Sequence, residues 1–287
     1  MHTSFLSHAR ERYFWLSILL GLACVLAYLF DEPVEPANGG TWLGYGLGTI
    51  GALLILWLAY LGRRKRDFAS GWGSVRGWVS AHVYFGTMLL VIVTLHTGFQ
   101  FGANIHTLAY LLMTLVIISG LYGVFAYVTY PAARNELKRS QNMDDLFVLV
   151  EEIDAQILQL IAKVPNDVAG VVKSAVERTT IGGGSLDQLF GRDHSTVLID
   201  GKIEKNSGQS GVLEFLVSRA SLAEGDNHRF FSELVEAFTA RKRTLDIIRK
   251  DISLYAKVKV WLLFHVPLTF ALLAALLAHV LSVFIYW

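Results

Sequence analysis

Four histidines set in two apolar runs are the residues of this chain best placed to do chemistry. Trp78 to Phe101 carries His82 and His96, and Val260 to Trp287 carries His265 and His279. In each run the two imidazoles stand fourteen positions apart. On an α-helix that interval rises about 21 Å and turns about 1400°, roughly 40° short of four full turns, so both rings leave one face at two depths. Neutral imidazole is an ordinary axial ligand for haem iron, and two helices sharing one interval suit two flat cofactors, each gripped by one histidine from either helix. Zinc fits less well. The histidines of one helix lie about 21 Å apart, and no acidic or thiolate side chain accompanies them inside the runs to close a tetrahedral site. A single intramembrane histidine is often a packing residue or a proton-relay member, but four without partners would be costly.

These helices must be held in a bilayer. The chain has 287 residues, 53% hydrophobic and 17% charged, with mean hydropathy +0.45, too apolar for an ordinary soluble domain. The net charge of +1 gives no global field of the kind that nucleic acid or an acidic partner requires. The single cysteine, Cys24, lies inside the first apolar run and is read as a small core residue. It excludes internal disulfides, a thiolate zinc site and a cluster held by this chain alone, so an iron–sulfur centre would sit on another subunit. Gly21-Leu22-Ala23-Cys24 is not read as a lipoprotein site, because more apolar helix follows it. Arg10 and Arg12 precede the first run as in a signal peptide, but no small-residue cleavage site follows, and a retained anchor is expected.

Five spans are predicted: Tyr13 to Phe30, Thr41 to Leu61, Trp78 to Phe101, Ile105 to Tyr130 and Val260 to Trp287. Gly44 and Gly48 of span two form a GxxxG face that admits a neighbouring helix or a flat ligand. Arg63, Arg64, Lys65, Arg66 and Arg76 make the loop after span two strongly basic, while Asp31, Glu32 and Glu35 make the preceding loop acidic. The positive-inside rule then places the N-terminus and the basic loop in the cytoplasm and the C-terminus outside. Spans three and five run parallel, which puts His82 and His265 toward the inner leaflet and His96 and His279 toward the outer one.

Residues 131–259 carry charge throughout and hold no stretch able to cross a bilayer. Asp144 to Ala162 and Phe230 to Tyr255 show helical apolar spacing, and Asp200-Gly201 between alternating residues predicts a small hairpin. The expected fold is an all-α integral membrane protein, with membrane helices one to four in 1–130, a mostly helical cytoplasmic insert in 131–259 and helix five in 260–287. Gly182, Gly183 and Gly184 lack the Lys-Ser/Thr pair of a phosphate loop and read as a plain flexible loop. The run Arg241-Lys242-Arg243 with Arg249 and Lys250 suits either anionic headgroups or a solvated helix face. His2, His8, His194 and His228 match no spacing and are read as surface residues.

The pattern of His82, His96, His265 and His279, with Gly86 near His82, resembles the dihaem membrane cytochromes b. The likeness is to the four-helix core of quinol–cytochrome c reductase cytochrome b and, more loosely, to ferric-reductase-like transmembrane domains. It covers spans three to five, spans one and two only in character, and 131–259 not at all. It implies that the four histidines ligate two b haems that carry electrons across the membrane. Arg63, Arg64, Arg66 and Arg76 suit the propionates of the inner haem. His106 has three readings beside the bland one of an interfacial histidine: a propionate contact, a quinone contact, or replacement of His96 as ligand. Pro267 frees the carbonyl of Leu263 and can set the angle of His265. No Pro-Glu-Trp-Tyr quinol signature and no flavin or nicotinamide motif is present, so the expected partners are lipid and other redox subunits: an iron–sulfur protein, a flavoprotein or a c-type cytochrome. A quinone near Gln100, Asn104 and His106 is a further expectation. The reading is the electron-transfer subunit of an inner-membrane oxidoreductase; a haem-free membrane anchor or assembly subunit is the alternative.

Overall fold

A computed structural model of the chain describes residues 10–34, 36–64, 74–138 and 141–285. His2, His8, Glu35, Lys65, Arg66, Arg139, Tyr286 and Trp287 lie outside the described residues. The elements in order are α1 (Arg12–Leu29), α2 (Trp42–Ala59), α3 (Leu61–Arg64), α4 (Val75–His96), α5 (Ile105–Lys138), α6 (Met143–Ile161), α7 (Asn166–Glu177), α8 (Ser185–Phe190), β1 (Thr196–Ile199), β2 (Lys202–Lys205), α9 (Ser210–Leu222) and α10 (Asp226–Ile285). They form two compact units, Met1–Val128 with Val260–Trp287 and Thr129–Lys259.

The first unit is a bundle of α1 to α4, the apolar part of α5 and the last part of α10. Among the described residues, five helices, including these long ones, are long and apolar enough to cross a membrane. Large apolar side chains cover the outside of the bundle, among them Leu19, Leu53, Phe125, Phe270 and Phe284. Water would not tolerate that much continuous apolar surface, whereas lipid takes it without cost. The chain is therefore a helical membrane protein. Thr41 and Ser74 accept from the backbone N–H of Gly44 and Gly77 and start α2 and α4.

Three helix ends differ from the sequence reading. α4 stops at His96 rather than running to Phe101, because Gly98 and Phe99 take left-handed φ values of 55° and 60° and Gly98 lies against the Ala37 carbonyl, where any Cβ would collide. α5 continues through Pro131 to Lys138, and its last turns are held by the bonds of Arg134 and Lys138 to Asp251. The helix expected over Phe230 to Tyr255 and the fifth span are one helix of 60 residues. Nothing between them breaks it, since Lys257 and Lys259 are good helix formers.

The second unit packs α6, α7, α9 and the first part of α10 around Ile157, Val172, Val197, Leu216, Leu234 and Phe238. β1 and β2 pair antiparallel, Ile199 facing Lys202 across Asp200-Gly201, both residues at positive φ as a tight hairpin turn requires. Gly182 and Gly183, with φ of 87° and 88°, turn the chain into α8, where Asp187 accepts the Gly184 N–H. Two residues of the basic run point inward. Arg241 is buried and bonds Asp154, Thr179 and Gln209. Arg249 is buried beside Asp193, at 3.0 Å, and donates to the Thr180 carbonyl. Neither is available to a headgroup, so only Lys242, Arg243 and Lys250 of that run remain at the surface.

Candidate functional site

α4 and the apolar end of α10 present the same seven-residue series to each other: His82, Leu89 and His96 on one, His265, Leu272 and His279 on the other. His82 and His265 line one cavity. Leu89 and Leu272 join one cluster with Ile55, Leu58 and Met113. The rings of His96 and His279 lie 6.0 Å apart, centroid to centroid, with planes at 90°. The two helices thus run parallel, and an apolar layer separates two imidazole pairs, His82 with His265 and His96 with His279, labelled inner and outer after the expected orientation. α4 approaches α1 and α2 closely, backbone to backbone, and makes no comparable approach to α5 or α10.

Each imidazole of the inner pair is oriented through Nδ1. The Nδ1 of His82 lies 3.1 Å from the carbonyl of Leu58, in the last turn of α2, where carbonyls run out of intrahelical donors. A carbonyl only accepts, so Nδ1 carries the proton and Nε2 the lone pair. The Nδ1 of His265 lies 2.8 Å from Ser119 Oγ. That hydroxyl donates its own proton to the Val116 carbonyl at 2.8 Å, so it accepts from His265, and Nε2 again keeps the lone pair. The shared cavity encloses about 80 Å³ and is also lined by Gly86, Met113 and Gly120. A Cβ on Gly120 would lie 3.5 Å from His265 Cε1, in ordinary van der Waals contact with the ring. Trp261 tilts against the same ring, at 5.4 Å between centroids.

At the outer pair, His96 is the last residue of α4 and donates from Nδ1 to the Gly44 carbonyl at 2.8 Å. A Cβ on Gly48 would stand 2.7 Å from His96 Cε1, and one on Gly39 would stand 3.1 Å from the same atom. The GxxxG pair of span two therefore seats a histidine: one glycine supplies the acceptor and the other the space. His279 meets His106 Nδ1 to Nδ1, the two rings perpendicular with centroids 4.6 Å apart. His106 itself is exposed. With ring centroids 6.0 Å apart, His96 and His279 could together hold one metal centre.

The remaining sequence candidates fall outside this arrangement or support it. Gly86 lines the inner cavity. Arg63 and Arg76 are exposed, and Arg64 is buried in α3. Gln100 donates to the Ala37 carbonyl, and Asn104 accepts the Thr107 N–H at the start of α5, so both side chains serve the outer loop. Among the described residues, no three His, Cys, Asp or Glu side chains form a group able to hold a bare ion. Leu58, Ser119, Gly39 and Gly120 were not singled out from the sequence. Ser119-Gly120, a hydroxyl beside a glycine within an apolar span, was the available signal, since such residues make contacts between membrane helices. Comparison with protein-family models, with curated proteins and with solved structures gives no match.

Proposed function

We propose that the chain is a dihaem b-type cytochrome subunit, similar to the dihaem membrane cytochromes b, that carries electrons across a membrane. His82 and His265 would hold the inner haem, and His96 and His279 the outer one. The 6.0 Å separation of the outer imidazoles carries this reading, and the Nδ1 bonds of His82, His265 and His96 support it by leaving Nε2 as the ligand atom. Haem supplies the one-electron redox chemistry that these side chains lack. The protein's part would be to fix two ligand pairs at two depths and to keep Leu89, Met113 and Leu272 between them. The basic residues around Arg63 and Arg76 would face the cytoplasm with the N-terminus and the 131–259 unit. Electrons would then pass between a redox subunit on that side and a partner or quinone on the other.

The alternative is a haem-free anchor of a redox complex, in which the bonds of His82 to Leu58 and of His265 to Ser119 simply satisfy imidazoles packed between helices. A reduced-minus-oxidised visible spectrum with haem quantification separates the two. Two haems per chain are expected, with about one lost in His82→Ala and about one in His279→Ala. A colourless purified protein leaves only the anchor.

A further inference from the structure

Three of the four histidines rest on acceptors of fixed character. His82 and His96 donate to backbone carbonyls, and His265 donates to a hydroxyl whose proton is already committed to Val116. His279 differs. Its Nδ1 meets a second imidazole, that of His106, which can donate or accept.

We propose that His106 is a positioning residue for the outer haem: it accepts the Nδ1 proton of His279, fixes its tautomer and lowers the potential of the iron that His279 binds. The inference rests on the dihaem reading. For His279 to offer Nε2, its Nδ1 must carry the proton, so His106 must offer the lone pair of its own Nδ1 and keep its proton on Nε2. A strong acceptor behind a ligating imidazole raises the basicity of the ligand, which favours the oxidised metal. His106 is held in place for this. It is the second residue of α5, a helix started by Asn104, which accepts the Thr107 N–H at 2.9 Å and the Leu108 N–H at 3.1 Å. It is also exposed, while His96 and His279 are half-buried. The potential of the outer site is thereby set from the surface of the bundle and that of the inner site from its interior.

The test is a spectroscopic redox titration of the full chain in detergent, with haem quantification, on the parent, His106→Phe and His106→Gln. Phenylalanine removes the acceptor and keeps the bulk; glutamine keeps an acceptor. Both variants are expected to retain two haems. In His106→Phe the outer midpoint potential rises and the inner one, identified as the signal lost in His82→Ala, stays in place. In His106→Gln the rise is smaller. Unchanged outer potential in His106→Phe overturns the assignment, and so does loss of one haem in both variants, which would make His106 a ligand. A parent protein without haem removes the dihaem reading itself.

Discussion

Gly48 shows how little space the outer site leaves at a single residue. Its missing side chain is where the His96 ring lies, and a Cβ 2.7 Å from Cε1 forces that ring to move. Gly48→Ala is therefore expected to lower haem content by about one equivalent while leaving the inner signal intact; retention of both haems would show that the ring has slack. Ser119 is the matching residue of the inner pair. Ser119→Ala leaves the Nδ1 proton of His265 without its acceptor. Loss of such a supporting bond weakens metal binding roughly 10–100-fold, measurable as faster transfer of the inner haem to an apo-globin acceptor.

Between elements, Asp251 is the joint of the second unit. It is buried on α10 and bonded through both oxygens to Arg134 of α5, at 2.8 Å each, with Lys138 at 3.6 Å. Burial by itself would raise the carboxyl, but the Arg134 bonds and the charges of Arg134 and Lys138 outweigh it and hold the group below its ordinary value. A carboxyl depressed in the folded state stabilises the fold above the ordinary carboxylate range, and that contribution is lost as pH falls through the lowered folded value. Asp193 is depressed in the same sense: burial opposes the shift, and the Ser195 and Gly208 bonds with the Arg249 charge override it. The second unit is thus expected to hold its stability from neutral pH down to roughly 4 and to unfold below it, as followed by circular dichroism. Asp251→Asn leaves Arg134 and Lys138 facing a neutral group. It should cost about 3–5 kcal/mol at neutral pH and flatten the acid transition; an unchanged melting temperature would show that water satisfies those cations.

At the scale of the molecule, the five apolar helices among the described residues, with Leu19, Leu53, Phe125 and Phe270 exposed on them, predict retention in the membrane pellet after an alkaline wash and release only by detergent. Release by the wash would contradict the membrane assignment. The sequence by itself determined that the chain crosses a bilayer, because twenty apolar residues in a row have one low-energy solvent. It also determined that each histidine pair leaves one helix face at two depths, because fourteen residues nearly close a whole number of turns. Where helices end was less legible. Gly98 stops α4 at His96 only because the Ala37 loop lies against it, a contact 61 positions away in the chain. The basic run on α10 read as surface because its charges are local in sequence, while the carboxylates that draw Arg241 and Arg249 inward, Asp154 and Asp193, come from other segments. Tertiary structure alone decided which imidazole meets which, what Nδ1 of each leans on, and that His106 stands behind His279. Those facts depend on how α2, α4, α5 and α10 are placed side by side, and no periodicity within one helix encodes its neighbours.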